Sequence, residues 1–164
     1  MNDQMKQYIG TKRINAMPMT RLEYNLFRGW ELPEDENGED EGFLVEYVDG
    51  GKANTNEFAG YVSWSPSDVF NRAYCETKGL TFGEAVEALK MGIKVARQGW
   101  NGKGMFLYYV PANSYPAQTE AARQHFGPMV PYRDYIAMKT VNDEVVPWVA
   151  SQSDLLEADW DVVE

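Results

Sequence analysis

Apolar positions set out a helix most clearly in the second half of the chain. Phe82, Ala85, Val86 and Leu89 recur at i, i+3, i+4 and i+7, the period of one helix face. Thr81 ahead of them and Glu84 inside them make a capping box, and Gly92 is placed to stop the helix in a left-handed conformation. Val86, Leu89, Val95 and, further on, Leu155 are expected in the core. Ile93–Ala96 and Met105–Val110 read as strands around an Asn101-Gly102 turn, with further strands at Tyr135–Thr140 and Asp159–Val163. Between them, Pro111 to Tyr132 carries four prolines and reads as a long loop with a short helix near Thr119–His125.

The first half has its own signals. Lys6–Ala16 has β-type content, and Thr20-Arg-Leu-Glu23 is a second capping box, opening a helix through Arg28. Gly42–Val48 and Gly60–Trp64 are strand candidates, the former ending at an Asp49-Gly50-Gly51 turn. Ser65 then offers an N-cap with Pro66 at the first helical position, predicting a helix through Tyr74. The fold class expected is α+β: two small modules, residues 1–76 and 79–164, each an antiparallel sheet with one or two short helices. No strand connection is long or regular enough for a βαβ series.

Composition narrows the function. Of 164 residues, 44% are hydrophobic and 13% aromatic, which suits a folded protein. Met1 to Lys6 is polar and lacks the apolar stretch of a signal peptide, no run is long enough for a membrane helix, and Cys75 is the only cysteine. The expectation is a cytoplasmic protein with no membrane partner. A net charge of −10 argues against polymeric DNA or RNA, which needs a field of lysines and arginines. It leaves room for a mononucleotide or cyclic dinucleotide, since a few arginines and backbone amides can hold two phosphates. Seven carboxylates crowd into Glu31–Glu41; without a spaced calcium pattern, they read as a solvated loop.

Catalysis and metal binding find little footing. His125 is the only histidine, and neither a nucleophile motif nor a Cys/His zinc set accompanies it. No cofactor is expected, and the protein is read as a non-enzyme. Two segments have binding chemistry instead. Arg97-Gln98-Gly99-Trp100-Asn101 follows a strand and places a planar cation near an indole. Pro147-Trp148 precedes the hydroxyl-rich Ser151-Gln152-Ser153-Asp154. A nucleobase wants an aromatic face, and a phosphate wants an arginine fork or free amides. The competing reading puts both indoles in the core and leaves Asp154 as a plain helix cap.

Leu80–Asn101, the Tyr135–Met138 strand, and Trp148-x-x-Ser-Gln-x-Asp-Leu-Leu-x-Ala-Asp-Trp160 together resemble a phage family, the second type of Thoeris anti-defence protein. The resemblance covers Leu80 to Glu164. It implies a small α+β oligomer that binds cyclic ADP-ribose isomers, and in some members cyclic oligonucleotides, without cleaving them. It further implies a homo-oligomer, dimer or tetramer, with sites at subunit interfaces in the cytoplasm of an infected bacterial host. The ligand-binding residues implied are Arg97, Trp100, Asn101, Trp148, Ser151, Gln152 and Asp154. Stacking falls to a tryptophan, ribose contacts to Asn101 and Asp154, and phosphate contacts to Arg97, Ser151 or backbone amides. The first module, through Tyr8-Ile-Gly-Thr-Lys12, Ala16–Thr20, Gly29-Trp30 and Gly60–Pro66, resembles a second group of small phage proteins with no established activity. Two other readings stay open: an acidic module that inhibits a host protein, and an enzyme that degrades the signal.

Overall fold

The computed structural model describes residues 10–164, in two units that divide between Tyr74 and Cys75. Among the described residues both are α+β with antiparallel pairing throughout.

In the first unit β1 (Ile14–Pro18), β2 (Gly42–Tyr47) and β3 (Tyr61–Pro66) form one sheet in that order. Tyr8 and Ile9, part of the expected first strand, lie outside the described residues. Helix α1 (Arg21–Arg28) begins at the expected capping box: the Thr20 hydroxyl accepts from the Glu23 amide, and the Glu23 carboxylate accepts from the Thr20 amide at 2.7 Å. Two orphan donors of the first turn are thereby satisfied. Gly29, at φ 66°, ends the helix. Tyr24, Leu44 and Val62 form a buried cluster in this unit, with Met19, Phe27, Phe58 and Trp64 packed around it. The Trp64 indole donates to the Met19 carbonyl at 2.8 Å. Phe43 points to the opposite face from its neighbour Leu44, as alternation along a strand requires. There it stacks on Phe70 of α2 (Ser67–Ala73), with ring centroids 4.0 Å apart.

The expected cap of α2 is corrected. Pairing of Phe43 with Ser65 and of Gly42 with Pro66 keeps both partners in the ladder. Pro66 therefore stays extended (φ −55°, ψ 145°), takes the N-cap position itself, and gives no side-chain cap. The acidic segment is a loop, as expected. Arg21 fastens it to α1 through two hydrogen bonds to Glu36, at 2.5 and 2.6 Å.

In the second unit α3 (Phe82–Lys90) packs on a sheet ordered β10 (Trp160–Val163), β4 (Lys94–Arg97), β5 (Phe106–Val110), β8 (Tyr135–Lys139), β9 (Val145–Pro147). Thr81 and Glu84 form the capping box, and Gly92 has φ 80°. The core is Leu80, Ala85, Ala88, Leu89, Val95, Leu107 and Trp160. Two core expectations are corrected. Val86 is only half-buried, and Ala88 takes the inward place. Leu155 remains 40% exposed, because α5 (Gln152–Leu156) turns Asp154 inward instead. Pro111–Tyr132 is also more ordered than a loop. Strands β6 (Asn113–Pro116) and β7 (Met129–Tyr132) pair as a ribbon around α4 (Glu120–Phe126). The prolines are tolerated because each lies in a two-stranded ribbon with a free edge or just outside it.

Candidate functional site

Pairing of β10 with β4 sets Trp160 opposite Arg97. Two residues along β4, Val95 is fully buried, so Arg97 projects from the core-facing side of the sheet. Its side chain is 11% exposed. A guanidinium so placed needs partners, and it has two. Nε and Nη2 donate to Asp159 at 2.6 and 3.0 Å, and Nη1 donates to Asp154 at 2.9 Å.

Asp154 is the hinge of this arrangement. Its Oδ2 accepts from the Ser151 amide at 2.8 Å and from the Ser151 hydroxyl at 2.7 Å, and the hydroxyl accepts from the Asp154 amide. The other oxygen takes Arg97. Burial works against the Asp154 carboxylate, but hydrogen bonds from Ser151 and Arg97 outweigh it and hold its pKa below the ordinary value. Asp159 is held low chiefly by the Arg97 fork, helped by the Gly99 amide. The same two carboxylates raise Arg97 further.

Above these charges lies an aromatic cluster. Trp100 and Trp148 meet at 6.5 Å in an edge-on arrangement, and each meets the fully buried Trp160 edge-on, at 5.5 and 5.9 Å. Phe82 at the start of α3 closes the group. The Trp160 indole donates to the Asp154 carbonyl at 3.0 Å, joining the cluster to the ion-pair network. Trp100 and Trp148 are half-buried against the core, whereas Asn101, Ser151 and Gln152 are exposed.

The structure thus brings together the two segments that carry the candidate residues, and sets those residues in different surroundings. Arg97, Asp154 and the Ser151 hydroxyl are engaged in holding the loop after β4 against α5. Trp100 and Trp148 present partly open rings, and Asn101 and Gln152 present exposed amides. Asp159, Trp160 and Phe82 belong to the same assembly, and sequence reasoning missed their part in it. The signal available was an unpaired arginine on the inner face of a predicted strand, which requires a carboxylate nearby. His125 is exposed and lies against Phe126, ring centroids 4.5 Å apart. Among the described residues no group of histidine, cysteine or acidic side chains is arranged to hold a metal ion, and no helix is long and apolar enough to cross a membrane.

Residues 80–163 match the family described as the Thoeris anti-defense 2-like domain. Over 84 residues, 51% of this chain and 94% of the relative, the sequence is 37% identical to Thoeris anti-defense 2 of Bacillus phage SP01.

Proposed function

The chain belongs, through residues 80–163, to the Thoeris anti-defense 2-like family, and on that footing we propose that its second unit sequesters a small cyclic nucleotide signal without cleaving it. Anti-defence is the role the family carries. Sequestration of a cyclic ADP-ribose isomer or cyclic oligonucleotide is the form the site supports best.

The observation that carries this reading is the meeting of Trp100 and Trp148, from two separate segments, beside exposed hydrogen-bonding side chains. Stacking on an aromatic ring contributes about 1–3 kcal/mol per base. Asn101 and Gln152 can contact ribose hydroxyls or a base edge, and backbone amides take the phosphates. Arg97 and Asp154 act by positioning: their ion pair fixes both indole-bearing segments before ligand arrives, which lowers the ordering cost of binding. The acid nearest the indoles among the described residues, Asp154, is occupied by Ser151 and Arg97, which supports retention over hydrolysis.

A second copy of the chain completes the site in this reading. Just before and after Trp148 in the sequence, Val145, Val146 and Val149 are 56%, 40% and 87% exposed. Exposed apolar side chains on and next to the edge strand β9 favour burial against another subunit.

The test is retention. The purified protein is incubated with lysate containing a TIR-derived cyclic ADP-ribose signal, washed and heat-denatured, and the supernatant is analysed by mass spectrometry. Release of intact signal is expected. Recovery of altered nucleotide would favour the degrading enzyme. A specific host protein in a pull-down, with no nucleotide retained from a panel of cyclic di- and trinucleotides, would favour the protein-binding module.

A further inference from the structure

The first unit has a shallow, open polar depression of about 460 Å³ lined by Phe27, Arg28 and residues 53–57. Its lining is built from two directions. Arg28 closes α1, and its guanidinium lies over the Trp30 ring, 4.5 Å from the centroid, while Nη1 donates to the Tyr24 hydroxyl at 3.2 Å. It forms no ion pair with a carboxylate among the described residues, in contrast to Arg21, Arg72, Arg97 and Arg123. The opposite wall is the loop between β2 and β3. Asn54 pins that loop by bonding both the amide and the carbonyl of Val62, at 2.8 Å each. Glu46, buried in the sheet, accepts from the Gly60 amide at 3.0 Å and holds the loop's far end. The loop is therefore fixed to β3 at Val62, and Arg28 reaches the same residue through Tyr24, whose hydroxyl donates to the Val62 carbonyl at 3.5 Å.

Three groups in this depression have polar capacity left. The Thr55 hydroxyl oxygen is buried and has no hydrogen-bond partner among the described residues, a state that buried polar atoms rarely keep. Asn56 and Glu57 are exposed on the same wall. A cation held on an aromatic ring suits a phosphate, whose oxygens can accept from the planar donors of a guanidinium. A carboxylate and an amide facing it suit vicinal hydroxyls, since a carboxylate can only accept and sugar hydroxyls can donate. We propose that the first unit has its own ligand site, between Arg28 and Glu57, for a ribose phosphate moiety, whether free or as part of a nucleotide. The phosphate sits at Arg28, the hydroxyls meet Glu57 and Asn56, and Trp30, which is 53% exposed and holds Arg28 over its ring, borders the base where one is attached. This site is independent of the indole cluster of the second unit.

The full-length chain provides the test, with tryptophan indole N–H resonances as reporters: Trp30 and Trp64 belong to the first unit, and Trp100, Trp148 and Trp160 to the second. The probes are ribose phosphate, adenosine monophosphate and inorganic phosphate. Ribose phosphate and adenosine monophosphate are expected to shift the Trp30 signal, with inorganic phosphate about tenfold weaker, and with adenosine monophosphate tighter than ribose phosphate if the base engages Trp30. Arg28→Ala should weaken ribose phosphate by about tenfold or more, and Glu57→Gln should weaken it while leaving inorganic phosphate unchanged. An undisturbed Trp64 signal verifies that either variant is folded. A silent Trp30 signal with every probe, a titration indifferent to Arg28→Ala and Glu57→Gln, or equal affinity for inorganic phosphate overturns the assignment. Shifts confined to Trp100 and Trp148 also overturn it, and they leave the second unit's proposed function intact.

Discussion

Arg97 and Asp159 face each other as a two-point fork, Nε to Oδ1 at 2.6 Å and Nη2 to Oδ2 at 3.0 Å, joining the end of β4 to the residue just before β10, the first and last strands of the second unit. The fork closes the unit on itself. With Asp154 on the remaining guanidinium edge, one cation secures both the loop that carries Trp100 and the helix that follows Trp148.

Removing that cation should destabilise the second unit. Arg97→Met leaves two carboxylates short of their partner in a mostly buried place, and a loss of about 2–3 kcal/mol is expected. Adding Asp159→Asn to Arg97→Met should cost much less than the sum of the two single changes, because both act on one interaction. Denaturant unfolding of the four proteins measures this; simple additivity would show that the fork contributes nothing as a pair.

The same network predicts acid sensitivity. Asp154 and Asp159 have folded-state pKa values below the ordinary 3.8. Their contribution is therefore fully present above that value and is lost as pH falls through the lowered folded values. Melting temperature should drop below about pH 4, and Asp159→Asn should flatten that drop while lowering stability at neutral pH. An unchanged acid limb in the variant would remove Asp159 from the account.

Ligand retention should follow the indoles. Because Trp100 and Trp148 pack on the core, Trp148→Ala is expected to cost about 2 kcal/mol of stability in addition to binding. Trp148→Phe and Trp100→Phe preserve more of that packing, and should reduce signal retention with a smaller change in melting temperature. If both phenylalanine variants retain the signal at wild-type level, stacking on these rings is not the basis of binding.

Gly60 should tolerate no side chain. A Cβ there would overlap the Tyr47 carbonyl oxygen, and the neighbouring Tyr61 is held in register with Tyr47. Gly60→Ala is expected to destabilise the first unit by about 2 kcal/mol or more. The Trp30 and Trp64 signals report that loss in thermal unfolding, and those of Trp100 and Trp148 should persist to the wild-type temperature.

Local chemistry carried most of the element reading. Thr20 with Glu23 and Thr81 with Glu84 start α1 and α3 where the capping box places them, because a cap depends on side chains within one turn. Gly92 likewise adopts its left-handed conformation for a reason internal to the residue. The readings failed where a distant partner intervened. Pro66 is drawn from the first helical turn into the ladder by Gly42. Leu155 is left outside because Asp154 is pulled inward by Arg97. The segment 111–132 is ordered because Tyr115 pairs with Val130 around α4.

The candidate site divides along the same line. The sequence by itself determined which groups were available: two indoles, Asn101, Gln152, Ser151, Asp154 and Arg97, in two segments with the residue types that nucleotide recognition uses. Only the tertiary structure decided their contacts, by pairing β10 with β4 so that Asp159 meets Arg97. An arginine can bind a phosphate or brace a fold, and its chemistry is the same in both. What separates the two is whether a carboxylate distant in sequence reaches it, and that depends on the register of the sheet.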